Sequence, residues 1–300
     1  MPHTANPIDR EAVPHMPNRL GLEGIEFIEY ATTRPQALGQ VLEAMGFRAV
    51  ARHRSREVVL YRQGSMNLVV NAHADDARVS ATTDGAPVIS AVAFRVRDAL
   101  HAHRACLQLG AWDVASHAQA MELHIPAIQG PGGSRFYFVD RWREFSIYDV
   151  DFVPIPGVDA HPPALAGLGY FGIVQYIGAS RTREWVAYLE TLFNFITIPD
   201  DRRFGILPSG TLLASPCGQF LWQLVEPDPR MEDDASPECL QRIGLGTPDV
   251  HAAVALLSQR GMAFVDSAHL HPEDRGALTR AALGSVSFEL VHQPTQPLYA

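Results

Sequence analysis

Histidine is the residue type that first suggests chemistry in this 300-residue chain, which contains 13 of them. Two pairs have a spacing that could chelate a metal ion. His269 and His271 would share one face of a strand, but the proline and acidic residues that follow them favour a solvated loop over a zinc site. His101 and His103 fall in a predicted helix, where residues two apart point in different directions. The histidine spacing therefore predicts no metal centre.

Three cysteines, Cys106, Cys217 and Cys239, are too few and too scattered for a disulfide framework or a zinc cluster. We expect buried small side chains rather than nucleophiles. The glycine-rich run 130–133 lacks the Lys-Ser/Thr ending of a phosphate-binding loop and is predicted to be a turn. No Ser-His-Asp or Cys-His motif is recognisable.

Composition excludes several classes of partner. The net charge is −9 and the sequence pI is about 5.8, which argues against nucleic acid or an anionic membrane surface. No apolar run reaches the length of a membrane span. The polar, proline-rich N-terminus has no hydrophobic signal core, so we expect a cytoplasmic protein.

A strand followed by an amphipathic helix occurs four times along the chain, roughly 65 to 85 residues apart. Apolar residues at three-to-four spacing mark the helices, and a glycine or an aromatic residue follows each. The four strands are 24–33, 88–96, 168–178 and 241–247.

Such a unit cannot bury both faces of its own sheet, so two units must pair. Four units predict two α+β domains, each a cupped sheet with helices on its outer side. We predict a flexible tail over 1–18, a first domain over 19–153, a proline-rich linker over 154–167 and a second domain with the pocket over 168–300.

Longer stretches of the sequence then resemble a known protein family. NRLGLEGIEFIEYAT, MELHIPAIQGPGGSRFYFVDRW and SIYDVDFVPIPG resemble the N-terminal half of bacterial 4-hydroxyphenylpyruvate dioxygenases, and the resemblance runs from about residue 18 to 157. It extends to related halves fused to 3-dehydroshikimate dehydratases. The second half resembles the family more thinly, through EWVAYLETLFNF, QRIGLGTPDV and GSVSFELVHQ. The resemblance implies the vicinal-oxygen-chelate fold, with paired βαβββ modules forming a half-barrel in each domain.

The resemblance also implies a ferrous iron site in the second domain. In the family, two histidines on the first strands of the two modules and one glutamate on a late strand hold the iron. This ligand set leaves open positions for a 2-oxo acid and dioxygen. The matching positions here are Ile173, Arg242 and Glu289. Isoleucine has no lone pair and arginine stays protonated, so only Glu289 survives as a ligand and we expect no metal cofactor.

Other departures concern the rest of the pocket and the first domain. FLWQLVEPDP (220–229) replaces the strand whose asparagine helps to hold substrate. The last residues do not resemble the family's closing helix, so we expect no such helix over the pocket and a more open pocket. In the first domain, the matching positions Phe27, Ala91 and Ser146 hold no metal. That domain is interpreted as a scaffold for packing and oligomerisation.

Arg242 and Glu289 form our candidate site. We hypothesise that Arg242, Gln175 and Glu289 make a polar floor, beside Ile173, for a small carboxylate-bearing molecule. A closed Arg242–Glu289 salt bridge that merely replaces the iron is about equally favoured. In a third reading, Arg242 faces solvent. Trp222 is expected in the core and Gln223 on the opposite face of its strand.

Three functions remain open. The first is a metal-free relative that binds, or transforms without oxidation, a small aromatic or keto acid. The second is a true iron(II) dioxygenase whose missing ligands come from elsewhere. The third is a non-catalytic partner or regulatory subunit. In each case we expect a homo-oligomer that binds no nucleic acid and no membrane.

Overall fold

Two mixed β-sheets organise the chain in the computed structural model, which describes residues 17–73, 78, 85–115, 123–143, 145–199, 210–227, 237–265 and 276–293. The first sheet has the strand order β6-β7-β5-β1-β4-β3-β2-β8. Its strands are β1 (Leu22–Ala31), β2 (Arg48–His53), β3 (Val58–Gln63), β4 (Met66–Asn71), β5 (Val88–Val96), β6 (Ala127–Gln129), β7 (Arg135–Val139) and β8 (Phe152–Pro154).

The second sheet has the order β10-β11-β12-β9-β13-β15-β14. Its strands are β9 (Gly169–Tyr176), β10 (Ile196–Thr197), β11 (Thr211–Ala214), β12 (Leu221–Val225), β13 (Cys239–Thr247), β14 (Gly276–Leu278) and β15 (Phe288–His292). In both sheets two long antiparallel strands lie near the centre, β1 with β5 and β9 with β13. The predicted α+β class is confirmed.

Five α-helices lie in the described ranges, and four of them follow the four predicted strands. The helices are α1 (Pro35–Ala44), α2 (Ala99–Gln108), α3 (Ile147–Asp151), α4 (Thr182–Phe193) and α5 (Val250–Gln259). Asp98 and Asp249 cap α2 and α5 by accepting a hydrogen bond from a backbone N–H of the first turn. None of these helices combines the length and apolar character needed to span a membrane.

The two halves share one hydrophobic core. Phe94 of the first sheet lies with its ring centroid 5.4 Å from that of Phe193, 5.8 Å from Phe220 and 6.4 Å from Trp222, all in the second half. Trp222 is fully buried, which confirms its predicted core position. One face of each sheet therefore packs against the other half and the helices, and the opposite face is concave.

The connection between the sheets contacts the turn between β3 and β4. The backbone N–H of Gly64 donates to the carbonyl of Pro162, and the N–H of Leu165 donates to the Gln63 side chain at 2.8 Å. A 3-10 turn (Leu165–Gly167) then leads into β9. The break between the sheets falls between Pro154 and Gly169, although the domain limits themselves remain a prediction.

Asn18 extends the folded part beyond the predicted start of the first domain. Its side-chain amide donates to the carbonyl of Leu22 and its oxygen accepts from the Leu22 N–H, both at 2.8 Å. The predicted tail therefore has to be shortened at this end, and residues 1–16 lie outside the described part. The run 130–133 is a turn as predicted, with a 3-10 turn over Pro131–Gly133.

Replacing Phe94 tests whether the two halves depend on this shared core. We expect Phe94→Ala to lower the free energy of unfolding by about 3–5 kcal/mol, because it leaves a cavity between tightly packed rings. Urea denaturation followed by circular dichroism would measure the change. Leu100→Ala on α2 is the control, since that side chain is 54% exposed; its effect should stay below about 1 kcal/mol. Equal effects of the two substitutions would contradict the shared core.

Candidate functional site

The concave face of the second sheet carries the candidate site. Val174 on β9 pairs with Arg242 on β13. Further along the same strands Gly172 pairs with Gly244, and Gly244 also pairs with Glu289 on β15. Because side chains alternate along a strand, Arg242 and Glu289 lie on the same face of adjacent strands, displaced by two residues.

Arg242 is a buried cation whose hydrogen-bonding capacity is largely unused. The residue is only 5% exposed. Its Nε and Nη2 atoms have no hydrogen-bond partner among the described residues, and its guanidinium carbon lies 5.7 Å from the centroid of the Tyr176 ring. Tyr176 lies on the side of Arg242 away from Gly172 and Glu289, so the guanidinium leans away from Glu289. The solvent-facing reading of Arg242 is therefore wrong.

Glu289 is also buried, at 3% exposure. It lines a cavity of only about 20 Å³ together with Gly172, Leu221, Gln223 and other residues of the concave face. Such a volume has room for about one water molecule. The more open pocket expected from the sequence is not found here. The Nε and Nη2 atoms of Arg242 make no bond to Glu289, so neither the polar floor nor the closed salt bridge forms through them.

Ile173 and Gln175 require a correction, because their side chains belong to the packed face, although Ile173 also borders the small cavity beside Glu289. Ile173 pairs with Ile243, and both belong to the core that joins the two halves. The Gln175 side-chain oxygen accepts a hydrogen bond of 2.8 Å from the Trp222 indole N–H. Gln175 thus satisfies a buried donor of the core and cannot share a floor with Arg242.

An irregularity in the strand pairing explains why the residues of β9 that face the cavity are displaced by one position from the predicted ones. The register of β9 against β13 shifts between Gly172 and Tyr170, so both Phe171 and Gly172 border the concave cavity. Gly172 and Val174, the two neighbours of Ile173 in the chain, both border this cavity, and the sequence analysis named neither as a site residue. The glycine next to Phe171 on β9 is the sequence feature that could have indicated which residues of this strand face the cavity.

Other predicted sites give no second centre. Burial raises the pKa of the Cys106 thiol to about 12 and also raises the pKa of Cys217 and Cys239, so the protonated thiol predominates at neutral pH. His269 and His271 lie outside the described residues. His103 contacts Asp113 through Nε2 at 2.9 Å, while His101 donates its backbone N–H to the cap of α2.

In the first sheet, Phe27 lies on the concave side and Ala91 is buried on β5. Ser146 is not on a strand but caps α3, in a reciprocal arrangement with Asp149. These positions do not bring together a metal-binding set. Within the described ranges, no three His, Cys, Asp or Glu side chains are grouped closely enough to hold a metal ion.

Known proteins similar to this chain point to one family. The model of the N-terminal part of hydroxyphenylpyruvate dioxygenase matches residues 16–153. The 4-hydroxyphenylpyruvate dioxygenase of Pseudomonas aeruginosa is 34% identical over 271 residues, which are 83% of this chain and 73% of that protein. Hemolysin VllY of Vibrio vulnificus is 35% identical over 269 residues, with the same two coverages. A 4-hydroxyphenylpyruvate dioxygenase from a Pseudomonas species is 42% identical over 180 residues, and this match spans 59% of the chain but half of that relative's length.

Solved structures agree on the fold. A fusion of a xylose isomerase-like TIM barrel with a 4-hydroxyphenylpyruvate dioxygenase has a TM-score of 0.75 at 22% identity, covering 97% of this chain and 52% of that one. A mutant 4-hydroxymandelate synthase from Streptomyces coelicolor has a TM-score of 0.72 at 16% identity, covering 92% and 94%. The protein thus has the vicinal-oxygen-chelate fold. Together with the sequence matches, this shows that the chain belongs to the 4-hydroxyphenylpyruvate dioxygenase family.

The residues at the concave face do not fit the ferrous iron that this family implies. Of the three matched positions, Ile173 has no lone pair to donate and Arg242 carries a permanent positive charge, and the neighbouring Gly172 has no side chain. Glu289 alone offers a ligand of the right chemistry. A Cβ atom at Gly172 would also lie 2.7 Å from the backbone carbonyl oxygen of Leu221, so the strands are packed too closely for a side chain there.

The close approach at Gly172 leads to a stability prediction. We expect Gly172→Ala to lower the free energy of unfolding by about 1–3 kcal/mol, because the methyl group meets backbone that can move only with its strand. Gly244→Ala is a matched control on the neighbouring strand. The nearest atoms to its Cβ lie at 3.4 Å, an ordinary contact. Urea denaturation of both variants would measure the difference, and equal stabilities would refute the close approach.

Proposed function

We propose that this protein is a member of the family that binds a small aromatic or keto acid through Arg242, without ferrous iron. One observation carries the proposal. Arg242 is buried and has unpartnered N–H groups, and the resemblance matches its position to that of a histidine ligand in the family. The family relationship suggests the class of acid, and a transformation without oxidation is proposed because the matched iron ligands are replaced.

The energetics of Arg242 support an anionic ligand. A buried charge without a counter-charge costs several kcal/mol, and each unsatisfied donor adds about 1–3 kcal/mol. The Tyr176 ring offsets part of this cost through a cation–π contact of about 0.5–2 kcal/mol. A carboxylate accepts two parallel hydrogen bonds from the edge of a guanidinium that includes Nε and Nη2, and would satisfy both atoms together.

Access is the second element of the proposal. The Nε and Nη2 atoms have almost no exposed surface. The cavity beside Glu289 holds only about 20 Å³, and Arg242 does not line it. A ring-bearing acid needs far more space, since small-molecule sites usually have about 300–1,000 Å³. Binding at Arg242 therefore requires the concave face to open. We expect association to be slower than diffusion for this reason.

The relatives suggest the first probe. Several of them are named as 4-hydroxyphenylpyruvate dioxygenases, and two others, from Pseudomonas species, are named as 3-dehydroshikimate dehydratases. Both names refer to small organic acids. 4-Hydroxyphenylpyruvate combines a ring with a 2-oxo acid, so it tests both parts of the proposal.

Replacing Arg242 by methionine distinguishes an arginine that binds a ligand from an arginine that forms a structural ion pair. If Arg242 serves a ligand, Arg242→Met should leave the stability of the ligand-free protein unchanged or raise it, because the substitution removes an uncompensated buried charge. It should also raise the Kd for 4-hydroxyphenylpyruvate at least about tenfold, through the loss of charge-assisted hydrogen bonds of about 1.5–3 kcal/mol. Thermal denaturation and calorimetric titration with a chelator present would measure both quantities.

Arg183→Gln is the control, because Arg183 lies exposed on α4. It should change neither quantity. A loss of about 3–5 kcal/mol in Arg242→Met without any ligand would identify Arg242 as part of a structural ion pair and overturn the proposal.

The iron-dependent alternative rests on Glu289 and on the names of the relatives. It predicts stoichiometric iron after incubation with Fe(II) and ascorbate, and oxygen uptake on addition of 4-hydroxyphenylpyruvate. Elemental analysis and an oxygen electrode would detect both, and a positive result would replace the metal-free proposal. Absence of any ligand together with a stable complex with an enzyme would instead support a regulatory subunit.

A further inference from the structure

The concave face of the first sheet contains a second cavity, which is much larger than the one beside Glu289. Its volume is about 440 Å³, within the range of about 300–1,000 Å³ typical of small-molecule sites. The lining residues on which the argument rests are Glu26, Arg62, Asn67, Arg95, Trp142 and Tyr148. They come from β1, β3, β4, β5 and the segment around α3.

A neutralised carboxylate forms the floor of this cavity. Glu26 is only 1% exposed. Its Oε2 atom accepts a hydrogen bond from Arg95 Nε at 2.5 Å, and its Oε1 atom accepts one from the Asn67 amide at 3.2 Å. The charge of Glu26 is thus already compensated, so it does not repel an anion that enters the cavity.

Two arginines above this floor are held in place but keep free donors. Arg62 donates from Nε to Asn67 at 2.7 Å and from Nη1 to the carbonyl of Ala160 at 2.9 Å. Arg95 also donates from Nη2 to the carbonyl of Ser65. In the described part of the chain, Arg62 Nη2 and Arg95 Nη1 donate to no protein atom. Such fixed guanidinium groups lose little entropy when they bind an anion.

The cavity is cationic in a chain that is acidic overall. Its lining includes Arg54, Arg62, Arg95 and Arg143 against Glu26 and Asp149, which gives a formal charge of 4 − 2 = +2. The whole chain carries −9. Concentrated positive charge in a partly enclosed cavity favours a negatively charged ligand.

Flat aromatic surfaces border the same space. The guanidinium carbon of Arg62 lies 5.3 Å from the centroid of the Tyr148 ring, and that of Arg95 lies 5.1 Å from the centroid of the Trp142 ring. The Tyr148 hydroxyl is buried and makes no hydrogen bond of good geometry to a described residue, although the Glu26 carboxylate lies close enough to act as an acceptor. Burial, and then the nearby Glu26, raises the pKa of Tyr148 well above its usual value, so this hydroxyl stays protonated and can donate.

We propose that this cavity is a second ligand site, which binds a small aromatic carboxylate. The carboxylate lies between Arg62 and Arg95, and the ring lies against Trp142 and Tyr148. Leu60 and Phe152 complete the apolar wall. This site does not involve Arg242, so the proposal of a second site does not depend on the function proposed above.

4-Hydroxybenzoate is the probe, added to the full chain while tryptophan fluorescence and heat are recorded. We expect saturable quenching with one equivalent bound at this site. The Trp142→Phe variant should lose the quenching while calorimetry still detects binding. Arg242→Met should keep the quenching, which distinguishes this site from the one in the second sheet.

Two variants locate the ligand. Tyr148→Phe removes only the hydroxyl beside Glu26 and should raise the Kd about three- to tenfold. The double variant Glu26→Gln/Arg95→Gln removes a charge pair without stranding either charge, and should raise the Kd at least about tenfold. Arg183→Gln should leave the Kd unchanged.

Three outcomes would overturn the proposal. The first is the absence of saturable binding, and the second is binding that neither Tyr148→Phe nor the double variant weakens. The third is inorganic phosphate or cyclohexanecarboxylate binding as tightly as 4-hydroxybenzoate, because the aromatic wall would then contribute nothing. A Kd that rises in both variants and stays constant in Arg242→Met would support it.

Discussion

Each sheet has two faces, and packing of one half against the other occupies one of them. The rings of Phe94 and Trp222 belong to this shared interface, together with the helices that cover it. Chemistry is therefore confined to the concave faces, and the alternation of side chains decides which residues can take part. A displacement by one residue moves a side chain from the site into the core. Ile173 and Gln175 lie on the core side of this division, whereas Arg242 and Glu289 lie on the other.

Two buried charges show contrasting ways of meeting the cost of desolvation. Glu26 has both a cation and an amide within hydrogen-bond distance, and so it is part of a satisfied network. Arg242 has an aromatic ring and no acceptor for two of its nitrogens within the described residues. The Glu26 network satisfies its hydrogen bonds without a ligand and forms the floor of the first-sheet cavity. The arrangement around Arg242 is incomplete, and this difference supports Arg242 as an anchor for an anion rather than as a structural ion.

The sequence predicted the architecture well because the architecture depends on repeated periodicity. Four strand–helix units, the α+β class and the core position of Trp222 all follow from patterns that span many residues. The face of Ile173 was predicted wrongly because it depends on one irregularity, the register shift between Tyr170 and Gly172, and single-residue bulges leave little trace in a pattern. The lean of Arg242 towards Tyr176 is a choice of rotamer and has no signal in the sequence at all.

The first-sheet cavity was missed for a different reason. Its arginines lie far apart in the chain, at 54, 62, 95 and 143, and no spacing connects them. The pairing of β3 with β4 and of β1 with β5 brings them together, and the connection between the sheets adds Ala160 at the rim. A site assembled from non-local contacts becomes visible only when the strand order is known. For this reason the half of the chain that resembles the family most closely, and that suggested no chemistry by its motifs, contains the larger cavity.

The close strand packing around Gly172 gives the metal-free proposal a steric argument, in addition to the chemistry of the candidate ligands. A side chain at this position would meet the carbonyl of Leu221, so a histidine could not be accommodated unless β12 moved. Arg242, on the next strand, brings a positive charge to the same face, which repels a divalent cation. Close packing at Gly172 and the charge of Arg242 thus both oppose a divalent cation at this face. A carboxylate is attracted by Arg242, but it can enter only if the face opens, because the cavity beside Glu289 holds about 20 Å³.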